Sequence, residues 1–88
     1  MDEKTIKYWL TTAEYDLVTA KSMLKTKRYL YVGFMCHQSI EKVLKAYYVK
    51  IKNKVPPYTH NLLFLAEETG IYMLFSEKQR DLLNELRP

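Results

Sequence analysis

The stretch "HQSIEKVLKAYYVK", residues 37–50, gathers most of the side chains able to do chemistry in this chain of 88 residues. Gln38, Glu41, Lys42 and Lys45 stand at i, i+3, i+4 and i+7, which on a helix is one polar face, opposite the core. Such a row presents three donors, Gln38, Lys42 and Lys45, to a phosphate or an acidic partner, with Glu41 orienting them. His37, Glu41, Leu44 and Tyr48 share the neighbouring stripe, so His37 and Glu41 can pair across one turn while Tyr48 extends the surface. The same spacing also describes a solvated face with a Glu41–Lys45 pair contributing about 0.2–0.5 kcal/mol. If the row is a site, replacing Lys42 and Lys45 together by alanine weakens binding and leaves the fold intact.

Elsewhere the candidates are fewer. Asp16 lies on the flank of an apolar stripe beside Trp9 and Met23, where an unpaired carboxylate loses hydration. A lysine of the second helix, Lys42 or Lys45, is its natural partner if the two helices pack antiparallel, a pairing that fixes register more than stability. His60, at a helix start, reads as a structural capping or packing residue. Cys36 falls among apolar positions and reads as core. A single thiol with two distant histidines makes neither a disulfide nor a zinc pattern, and Gly33 and Gly70 cannot build a phosphate-cradling loop. Gly33 inside a helix suggests a close helix approach. Six tyrosines, Tyr29, Tyr31, Tyr47, Tyr48, Tyr58 and Tyr72, could stack on bases, although in a small bundle they more often fill gaps.

These residues need long helices to position them. From Glu3 to about Lys25 the apolar positions Ile6, Leu10, Ala13, Leu17, Ala20 and Leu24 recur with the alternating four-and-three spacing of a buried helical stripe. A second series, Val32, Met35, Cys36, Ile40, Val43, Leu44, Tyr47 and Ile51, covers about half of a helix's circumference. One neighbour cannot bury that much, so the second helix belongs at the centre of the bundle or at a subunit contact. "NKVPPYTH" stops it. Thr59 or Asn61 can cap a short third helix that ends at Gly70, and Ser76 with Gln79 has the spacing of a capping box opening a fourth, with Leu82, Leu83 and Leu86 as its stripe.

Composition narrows the functional classes. At this length a single marginal core is expected, so partner surfaces would add burial. The five bases and one acid of residues 29–60 give that third the positive field, while residues 61–88 carry three bases and five acids. The lysines of "KIKNKVPP" read as the solvation of a loop. The longest apolar run, "LYVGFMC", is far short of the roughly 20 residues of a membrane span, and "MDEK" opens with acids where an export signal carries bases. A cytoplasmic protein without a membrane segment is the expectation.

The order of signatures then resembles the HEPN domain family. Trp9, Leu10, Ala13, Glu14, Asp16, Leu17 and Ala20 match a first-helix signature, Gln38, Glu41, Lys42, Lys45 and Ala46 a second, and Pro57, Thr59, His60 and Leu62 a third. The resemblance runs from about Tyr8 to Gly70. It implies an all-α, up-and-down four-helix-type bundle built on a long antiparallel helix pair, with residues 1–88 as one domain lacking the family's final helix. It implies a homodimer, often encoded beside a minimal nucleotidyltransferase or within a toxin–antitoxin pair, and a nucleotide as ligand with no other cofactor. Ribonuclease members carry an Arg followed after four to six residues by His. Here the permitted positions after Arg28 are Gly33, Phe34 and Met35, those after Arg80 are Glu85, Leu86 and Arg87, and only Arg87 could begin the motif.

The expected function is therefore a non-catalytic nucleotide- or partner-binding module, with Gln38, Glu41, Lys42, Lys45, His37 and Tyr48 as its site. Alternatives are an RNA-cleaving toxin whose histidine lies beyond residue 88, and a structural dimerisation module.

Overall fold

The computed structural model describes residues 3–86. In chain order, α1 covers Glu3–Lys25, α2 Tyr29–Lys52, α3 Leu62–Thr69 and α4 Glu77–Glu85, with one short 3-10 helix, Ile71–Leu74, between α3 and α4. No strand occurs among the described residues. Arg87, the remaining start for an Arg–His motif, and the opening Met1 and Asp2 lie outside them.

Each boundary has a local cause. α1 ends without glycine: Lys27 itself takes the left-handed conformation (φ 60°), and the amides of Lys27 and Arg28 bond back to the carbonyls of Leu24 and Met23. This compact reversal turns the chain into α2 and lays the two long helices antiparallel. α2 stops three residues before Pro56, where Asn53 (φ 53°) adopts the left-handed conformation and its N–H bonds the Val49 carbonyl. Of the two proposed caps of α3, Asn61 is the one, its side chain accepting from the Phe64 amide at 3.0 Å, while Thr59 accepts from the Asn61 amide. Gly70 (φ 80°) terminates α3. Ser76 and Gln79 form the reciprocal capping box of α4.

α2 is the central element, as its broad apolar arc requires. One side packs against α1, where Ala13, Asp16 and Ala20 are buried and the Ser39 hydroxyl donates to the Ala13 carbonyl at 2.8 Å. The other side carries Leu44 and Tyr48 into a core with Leu62, Leu65, Ala66 and Leu83. Ile40, Ile71, Phe75 and Leu86 close its edges.

Three packing expectations change. The α1 stripe is buried through its small members, and Leu10, Leu17 and Leu24 stay 46%, 43% and 54% exposed. Alanine lets the helices approach closely, and among the described elements α1 packs chiefly on α2, so the leucine column falls on the flank of the seam. Gly33 allows no close helix approach, because a Cβ built there meets no atom within 4 Å. Cys36 is only half-buried.

Candidate functional site

The row on α2 is not a solvated face. Glu41 and Lys45 keep only 3% and 5% of their surface, and His37 and Tyr48 are buried with them. Gln38 and Lys42 are half-buried. The segment between α2 and α3 and the N-terminal half of α1 supply what covers the row. His60 reaches Glu41, while Lys45 Nζ lies 5.6 Å from the Trp9 ring centre and 6.0 Å from that of Tyr58. The reading of Gln38, Lys42 and Lys45 as a ridge of free donors is therefore corrected: both cations of this ridge, Lys42 and Lys45, are neutralised by the chain itself.

Glu41 anchors the cluster. Its Oε2 accepts from Lys45 Nζ at 3.1 Å and its Oε1 from His60 Nδ1 at 2.7 Å. Burial pushes the Glu41 carboxyl up, but the hydrogen bonds from His60 and Lys45 and the positive charge of Lys45 outweigh it and hold the group below its ordinary value. It stays a carboxylate at neutral pH. His60 is a tertiary partner rather than a local cap, and its side chain remains 53% exposed. Because a carboxylate only accepts, Nδ1 of His60 carries the proton, and Nε2 of the neutral ring is an acceptor.

His37 ties α2 to the end of α4. Its Nδ1 donates to the Leu86 carbonyl, so Nε2 of the neutral ring is a lone pair. That atom is buried without a hydrogen-bond partner, 3.5 Å from Glu41 Oε1. The separation suits an ion contact if the ring is charged. The expected pairing of His37 with Glu41 thus exists as proximity, not as a hydrogen bond.

Asp16 finds the partner foreseen for it. Lys42 Nζ lies 2.5 Å from Asp16 Oδ2, across the α1–α2 seam. With Ser39 on Ala13, this pair pins the register of the two helices. Lys42 is accordingly occupied, and Lys50, Lys52 and Lys54 are solvated.

The open part of this face is a cleft of about 530 Å³ beside the cluster. Gly33, Phe34 and Gln38 of α2 form one side, His60 another, and Glu85 with Leu86 the end, with the buried His37 ring behind them. The volume falls within the range usual for small-molecule sites. Of these, Gln38, His37 and His60 were singled out in the sequence, whereas Phe34, Glu85 and Leu86 were not. Phe34 and Leu86 read only as apolar positions, and nothing local shows that the end of α4 returns to the first turns of α2. One signal was available for Glu41: it is the sole acid among residues 29–60, so it had to be the local partner of that third's cations.

Among the described residues, no group of three His, Cys, Asp or Glu is placed to hold a metal ion, and no helix is long and apolar enough to cross a membrane. In comparison with family models, the one described as HEPN domain matches residues 6–88. Comparison with curated proteins and with solved structures gave no match.

Proposed function

The chain belongs to the HEPN domain family, and we propose that it serves there as a non-catalytic module that binds a nucleotide in the cleft between α2, His60 and the end of α4. Family membership supports a nucleotide- or RNA-related module. The observation that carries the finer reading is the cleft itself, lined by the polar Gln38 and His60 together with the apolar Phe34 and Leu86. Apolar walls with a few fixed polar groups are the usual make-up of a small-molecule site. In this reading the lysines are not the ligand's grip. Lys45 holds Glu41, Glu41 orients His60, and Lys42 fixes the helix pair.

The module is proposed to act in the cytoplasm as a homodimer beside a minimal nucleotidyltransferase, in the manner of a toxin–antitoxin pair. An RNA-cleaving toxin needs a histidine that neither Arg28 nor Arg80 has at the required spacing in this sequence. A second reading, a structural dimerisation module, is favoured by the exposed Leu10, Leu17 and Leu24 column, which is apolar surface ready for a second copy.

Calorimetric titration with AMP, with melting followed in parallel, separates the two. Heat on titration and a rise in Tm support the nucleotide module. No heat and no shift leave the dimerisation module, which light scattering then tests with Leu17→Lys: a dimer that becomes a monomer supports it, and a wild-type monomer removes it.

A further inference from the structure

We propose that the cleft beside Gly33 selects the base of its ligand and not the phosphate: it takes a planar heteroaromatic ring bearing an amino group. The proposal rests on the nucleotide-binding reading and says which part of the nucleotide this site holds.

Three observations converge on it. Among the described residues no lysine or arginine lines the cleft, and Glu85 stands at its end, so a phosphate placed there meets a carboxylate and none of their cations. The polar atoms offered are chiefly acceptors. In the neutral ring His60, with its Nδ1–H committed to Glu41, offers a lone pair at Nε2, and the Glu85 carboxylate only accepts, while Gln38 can both accept and donate. Acceptors call for a ligand with N–H donors, and an amino-substituted ring supplies them in the plane of its own edge. The faces of such a ring are apolar and match Phe34, a residue 57% exposed, and Leu86.

Gly33 is the third observation. Glycine in a helix interior is unfavourable relative to alanine, and nothing packs closely enough at this position to demand it. The space that a side chain would enter adjoins the cleft that Gly33 lines. Its absence keeps the wall of the cleft open next to Phe34.

The test compares four probes by calorimetry on the intact protein: AMP, adenosine, purine riboside, which lacks the amino group, and inorganic phosphate. The expected result is that adenosine binds within about threefold of AMP, purine riboside about tenfold or more weakly, as expected for a lost hydrogen bond to a charged or buried acceptor, and phosphate without measurable heat. Gly33→Leu, which fills the opening with a good helix former, should abolish adenosine binding while melting no lower than wild type. AMP binding with adenosine inert, or equal affinity for adenosine and purine riboside, overturns the base-selective cleft and leaves the nucleotide module standing. AMP binding undisturbed in a folded Gly33→Leu does the same. If none of the probes binds, both readings fall. The adenosine and purine riboside pair is read on the wild-type chain, so the outcome stands even where the variant does not fold.

Discussion

Glu41→Gln is the most informative single change in this molecule. Glutamine keeps the shape and removes the charge, so Lys45, 5% exposed, is left as a cation without its counter-ion. Breaking a buried pair by removing one member costs about 3–5 kcal/mol. Part of that is recovered because Lys45 Nζ also faces the rings of Trp9 and Tyr58, contacts of about 0.5–2 kcal/mol that persist in the variant. A net loss of about 2–4 kcal/mol is expected. A chain of 88 residues has a total of roughly 4–13 kcal/mol to lose from, so the variant should remain folded at 25 °C but melt on the order of 10–25 °C lower. Urea titration followed by far-UV circular dichroism reads this as a lower midpoint with an unchanged slope. Glu41→Gln with Lys45→Met removes both charges and should recover at least half of the loss, because no unpaired ion remains. The carboxyl also predicts a pH dependence. Its folded-state pKa lies below the unfolded value of 4.5, so its contribution is complete above about pH 4.5 and disappears as pH falls through the lower, folded-state value. Glu41→Gln should lack that part of the acid-induced loss. A deficit below 1 kcal/mol, or a double variant whose loss equals the sum of the singles, would refute the account of Glu41 as the buried counter-charge.

Other substitutions probe the remaining supports. Leu65→Ala empties a site with 0% exposure at the centre of the α2–α3 core and should cost about 2–5 kcal/mol in urea unfolding. Ser76→Ala removes half of the capping box of α4 and should cost about 1 kcal/mol, with hydrogen exchange faster in Glu77–Glu85 than in α2. Asp16→Asn leaves Lys42 half-buried beside a neutral amide. A loss of about 1–2 kcal/mol is expected, smaller than for Glu41→Gln because water still reaches Lys42. Lys42→Ala with Lys45→Ala should lower the melting temperature, in contrast to the intact fold expected of the row as a binding site.

Helix identity and limits were written locally and could be read from the chain. The stripe periodicities of α1 and α2, the Asn61 and Ser76 caps, the left-handed Gly70 and the family-like order of signatures all depend on residues within one or two turns of each other. Even a lysine partner for Asp16 was legible, as Lys42 or Lys45, since an antiparallel pair joined by a short turn leaves few lysines within reach of a carboxylate on the seam; the structure selects Lys42.

Helical spacing gives the angle of Glu41 and Lys45 around α2 but not what lies at that angle. Only the tertiary structure brings Trp9, Tyr58 and His60 over them, because the segment between α2 and α3 has no periodicity to betray its course. The same holds for the leucine column of α1, apolar by sequence and left exposed because small residues at the seam set the rotation of the helix. It holds again for the cleft, where Gly33 and Leu86 meet across most of the length of the chain. Short-range hydrogen bonding and side-chain periodicity determine where helices form; burial is a property of neighbours distant in sequence, and it decided which charges became structure and which surface stayed open.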